Sequence, residues 1–142
     1  MRKFSVLKCD VYPYNILLCI GASKEQILRE IKRTYGCSAS SDFAERLSLE
    51  NKKGLTLYDL GEKICVLWVS RLAFDPSSIS TLSHEVFHVV YAVMSQVDIQ
   101  LSRESEEAFS YLHEHLMNQA LIAIWNGKRT AFKSTLNAKD GD

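Results

Sequence analysis

A chain of 142 residues with 46% hydrophobic content can bury one core but hardly two, so a single domain is expected. Its 17 Lys and Arg balance 17 Asp and Glu, which leaves no electrostatic footprint for nucleic acid or an anionic membrane surface. The four cysteines form no C-x-x-C pair and sit mostly in apolar runs, the setting of reduced, structural thiols.

The opening "MRKFSVLKCD" is basic, but Lys8 and Asp10 cut its apolar run short of the h-region of a secretory signal. No apolar run reaches the roughly 18 residues of a membrane span, and the expected compartment is the cytoplasm. From Phe4 to Ile20 the chain is rich in Val, Ile, Leu and Tyr and reads as one or two strands, closed by Gly21. Ser23 with Gln26 three residues later has the pattern of a capping box. Ile27, Ile31 and Tyr35 then recur at helical spacing up to Gly36. The polar stretch "CSASSDFAERLSLENKKG" is expected as loop, with a short helical turn near Phe43 to Leu47.

A hairpin follows: Leu55 to Tyr58, a turn over Asp59 to Glu62, then the nearly continuous apolar run from Ile64 to Ser70 that marks a buried strand. Asp75-Pro76 supplies a cap and a first-turn proline. The helix it starts is predicted to reach about Val97, because Ile79, Leu82, Val86, Val89 or Val90, Val93 and Val97 fall on one stripe. After the connector "DIQLSRES" a second helix runs from about Glu104 to Trp125, with an end predicted at Asn126-Gly127. The domain is expected to occupy residues 1–134, with 135–142 as a flexible tail.

The chemistry lies in "SHEVFH", residues 83–88, on the first long helix. His84 and His88 are one turn apart and share a face opposite the apolar stripe, so two imidazole nitrogens can reach one zinc ion. Glu85, about a quarter turn round, can serve as general base towards a zinc-activated water. A catalytic zinc takes three protein ligands. Glu107 lies on the second helix, with eighteen residues between it and His88, and a short antiparallel return would bring it back over the pair. Periodicity places Glu106 closer to the apolar stripe of its helix. The spacing and the Ala-x-x-Tyr that follows favour Glu107, and Glu104 is a third choice.

H-E-x-x-H followed after eighteen residues by a helical Glu resembles the gluzincins, the thermolysin-like and aminopeptidase-like zinc peptidases. More closely, "LSHEVFH" and "SEEAFSYL" resemble the small minigluzincin-type HExxH proteins encoded mainly by bacteriophages and prophages. The resemblance runs from about Val66 to Leu116. It implies an α+β, zincin-like fold: a small, mainly antiparallel sheet packed on the active-site helix and a following Glu-bearing helix. It also implies one Zn2+ per chain on His84, His88 and Glu107, Glu85 as general base, and a peptide or protein as substrate, in the cytoplasm of a bacterial host. The alternative it leaves is a catalytically inactive zincin-like structural or interaction protein of phage origin.

Where thermolysin-like enzymes carry an Asp four residues after the Glu ligand, this chain carries Tyr111. A metzincin reading fails, because Tyr91 and Met94 stand where that motif needs Gly and a third His. His113 and His115 are expected to be solvated or hydrogen-bonded rather than ligands. Trp68 and Trp125 are expected in or at the edge of the core. The cations of "NGKRTAFK" suit a solvated helix end.

Overall fold

Two hairpins and a parallel seam between them make the sheet. A computed structural model describes residues 3–59 and 61–139, with side chains as far as residue 126. The elements follow in the order β1 (Phe4–Lys8), β2 (Asn15–Ile20), α1 (Lys24–Tyr35), α2 (Ser41–Arg46), β3 (Gly54–Asp59), β4 (Ile64–Val69), α3 (Pro76–Gln96) and α4 (Glu106–Lys139). β1 pairs antiparallel with β2 and β3 antiparallel with β4. The expected sheet was mainly antiparallel; the observed one is mixed, because β2 and β4 lie side by side in parallel in the order β1-β2-β4-β3. That arrangement follows from burial. β2 and β4 are apolar at nearly every position, so they take the centre, where both sheet faces are covered.

Alternation along these strands divides the core in two. Ile16, Leu18, Ile20, Cys65, Leu67 and Val69 face α3 and α4, joining Leu82, Val86, Val89, Val90, Val93, Phe109, Leu112 and Leu116. Leu17, Cys19, Ile64, Val66 and Trp68 face α1 and α2, joining Ile27, Ile31 and Phe43. The chain is thus an α+β fold of three layers with the sheet in the middle.

Local signals set the helix ends. At the start of α1, Ser23 Oγ accepts from Gln26 N–H and Gln26 Oε1 accepts from Ser23 N–H, a closed capping box. Gly36 ends the helix in the left-handed region at φ 74°. Asp75 caps α3 by accepting from the Ser78 amide at 2.9 Å, with Pro76 in the first turn. The end predicted for the last helix at Asn126-Gly127 is corrected, since α4 continues to Lys139. A glycine costs a helix interior only about 1 kcal/mol relative to alanine, and "KRTAFK" beyond it lacks a proline to stop the run. The helix therefore crosses the expected domain end at residue 134, and residues 140–142 of the predicted tail lie outside the described residues. No helix among the described residues is long and apolar enough to cross a membrane.

Candidate metal centre

α3 packs its apolar stripe on the sheet and turns His84 and His88 outward, both exposed. Their Nε2 atoms stand 3.2 Å apart, with ring planes at 74°. Two nitrogens at this distance suit either one N–H···N hydrogen bond or two adjacent corners of a zinc tetrahedron, whose edge is about 3.3 Å for Zn–N bonds near 2.05 Å. The pair fits two of the positions a zinc ion needs.

Glu85, between them in sequence, points elsewhere. It is only 7% exposed, and its carboxylate lies under the edge strand β3. Alternation along β3 sends Leu55 and Leu57 to the α1 side and therefore Gly54 and Thr56 to the α3 side. The Thr56 hydroxyl lies 2.7 Å from Glu85 Oε2 and 3.0 Å from the Glu85 carbonyl oxygen. At Gly54 a Cβ would come within 2.7 Å of Glu85 Cγ and 3.1 Å of Oε1, so the glycine is what lets the strand approach the helix here.

α4 returns antiparallel to α3. His113 on α4 meets Ser83, and further along α4 Trp125 meets Phe74, which precedes α3, with ring centroids 6.3 Å apart. Counting back from His113, Glu107 comes level with Val89, next to His88. Glu107 is exposed there, as is Glu106. Among the described residues no group of three or more His, Cys, Asp or Glu side chains is gathered to hold a metal ion. Two of the three predicted ligands are thus brought together, and the third is brought level with them without joining the group.

The remaining histidines are hydrogen-bonded. His113 Nε2 lies 3.2 Å from the Ser83 carbonyl oxygen and 3.4 Å from its hydroxyl. His115 Nε2 lies 2.9 Å from the Lys8 carbonyl oxygen, 3.2 Å from Asp10 Oδ2 and 2.8 Å from the Gln119 amide nitrogen. Both tie α4 to its neighbours. Trp68 is buried and donates its indole N–H to the Ala22 carbonyl at 3.0 Å, whereas Trp125 is exposed beside Phe74. Thr56 and Gly54 are the residues of this site that sequence reasoning passed over. The signal was available, because a period of two places both on the face opposite Leu55 and Leu57.

All four cysteines are free thiols. Burial raises Cys9 to about 11, with Asp10 adding to the effect, and raises Cys65 to about 12; Cys19 is raised further by the same cause. With no metal bound, burial keeps all three as protonated thiols near neutral pH.

Comparison with protein-family models, curated proteins and solved structures finds no match to this chain.

Proposed function

We propose that this chain is a zinc-dependent peptidase of the gluzincin type, in which His84, His88 and Glu107 hold the ion and Glu85 is the general base. The observation that carries the reading is the His84–His88 pair, with facing nitrogens 3.2 Å apart, on the same helix turn as the Glu85 carboxylate buried under an edge strand. Zinc bound there would supply Lewis acidity towards a carbonyl oxygen and towards water. Glu85 takes a proton from the attacking water and passes it to the leaving amine nitrogen. Thr56 holds Oε2, which leaves Oε1 as the oxygen for that proton. Glu107 is exposed on α4 and, counted back from the His113–Ser83 contact, falls level with Val89.

Zinc content by elemental mass spectrometry, with peptide-panel hydrolysis by wild type and Glu85→Gln, tests the reading. About one zinc per chain in both proteins and hydrolysis by wild type alone is the expected result. Zinc in both with no hydrolysis by either would end the peptidase reading. It would leave an inactive zincin-like interaction module, a second reading favoured by the lack of a three-ligand group among the described residues.

A further inference from the structure

We propose that Thr56 is a positioning residue for Glu85, fixing one carboxylate oxygen to the edge strand so that only the other is free to exchange a proton. The inference rests on the peptidase reading and adds a residue to it. Glu85 is an unusual occupant of its position. It is 7% exposed, and among the described residues no Lys or Arg forms an ion pair with it. Removing a carboxylate from water without a cation is unfavourable, so an apolar residue or Gln would serve the fold better there.

What holds the carboxylate is one hydroxyl. Thr56 has a single O–H hydrogen to give and two acceptors in reach, the Glu85 carbonyl at 3.0 Å and Oε2 at 2.7 Å. The helical carbonyl already accepts from the amide four residues on, and the carboxylate is the charged acceptor at the shorter distance, so Oε2 takes the hydrogen. Thr is β-branched and stiff at χ1, and it stands in a strand paired along its length with β4. The donor is therefore preorganised. Two residues earlier on the same strand face, Gly54 leaves space beside Oε1 that a Cβ would fill to 3.1 Å. One strand face thus grips one oxygen and clears room at the other.

The test compares Thr56→Val, which keeps the shape and loses the hydroxyl, with Thr56→Ser, which keeps the hydroxyl. In zinc-free protein, thermal melts of Thr56→Val are run in wild-type and Glu85→Met backgrounds. A charged hydrogen bond at this distance predicts a loss of about 3 °C or more in the first background and under about 1 °C in the second. On a peptide that wild type hydrolyses, Thr56→Val is expected to lower kcat about 10- to 100-fold, the usual effect of losing a residue that orients an active group, with KM and zinc content unchanged. Thr56→Ser is expected to stay within about threefold of wild type in kcat, since the donor is retained. Equal melting losses in the two backgrounds, wild-type kcat in Thr56→Val, or a Thr56→Ser loss as large as that of Val would each overturn the proposal. If wild type hydrolyses nothing, the peptidase reading fails and takes this role with it, whereas activity indifferent to the hydroxyl fails this proposal alone.

Discussion

His113 Nε2 on α4 lies 3.2 Å from the carbonyl oxygen of Ser83 on α3, the residue immediately before His84. Counted back from this contact along the antiparallel helix, Glu107 comes level with Val89, next to His88, whereas Glu104 precedes α4 altogether. Glu107→Ala is therefore expected to weaken zinc binding by more than about 100-fold, beyond the 10- to 100-fold typical of residues that only orient a ligand. Glu106→Ala is expected to bind as wild type. Competition titration with a chromogenic chelator measures both; equal affinity in Glu107→Ala and wild type would remove Glu107 from the ligand set.

His84 and His88 are exposed, and their rings touch each other. Replacing either with Ala should change the stability of zinc-free protein by no more than about 0.5 kcal/mol, as for other surface positions. The same variants should lose the rise in Tm that zinc gives wild type, worth about 2.7 kcal/mol when free zinc is 100 times Kd. Melts with chelator and with zinc separate the two effects.

Glu85→Gln should raise the stability of zinc-free protein. A neutral amide of the same shape removes the charge that burial at 7% exposure disfavours, a gain of about 1 kcal/mol or roughly 3 °C in Tm. A fall in Tm on calorimetry would mean that the carboxylate holds β3 to α3 more strongly than its burial costs.

Tyr35, at the end of α1, reaches across the parallel seam. Its hydroxyl lies 2.6 Å from the Asn15 carbonyl oxygen and 3.0 Å from that of Cys65, so one side chain spans β2 and β4. Tyr35→Phe leaves these carbonyls without the donor and should cost about 1–2 kcal/mol, read as a lower urea midpoint at unchanged slope.

The buried thiols predict an alkaline limit. Cys9 and Cys65 are raised from 9.0 to about 11 and about 12 by burial, so the folded state keeps protons that the unfolded chain releases. Their contribution is intact below pH 9 and is lost as pH rises from about 9 towards 11 and 12. Urea midpoints should fall across that window, and at pH 8 a thiol reagent should modify only Cys37, the one cysteine that is not buried, with all four reacting after denaturation.

Local signals carried most of the element assignments. Ser23 with Gln26, Gly36, and Asp75-Pro76 are each a few residues whose backbone chemistry decides a helix end without help from elsewhere in the chain. The parallel pairing of β2 with β4 was not legible, because apolar runs declare burial and not which strand lies beside them. Gly127 misled for a related reason: a glycine after an amphipathic run is compatible with either a stop or a tolerated interior position.

At the site, helical spacing alone put His84 and His88 side by side, because i and i+4 on a helix are neighbours wherever the helix lies. The Thr56 contact with Glu85 depends on how closely β3 approaches α3, which Gly54 decides and which is a property of two elements together. His113 was expected only as a solvated or hydrogen-bonded residue, and its partner Ser83, thirty positions away, could not be chosen from sequence.

The parallel seam also sets a tempo. Within each hairpin the paired residues are between 5 and 15 positions apart, from Asp59 with Ile64 to Phe4 with Cys19. Across the seam Ile16 meets Cys65, a separation of 49. Either hairpin can close early and on its own, whereas joining them means gathering α1, α2 and β3 into one large loop, and such non-local encounters slow a search far more than local ones. The slowest event in refolding is therefore expected to be the meeting of the two hairpins, along the line that Tyr35 spans.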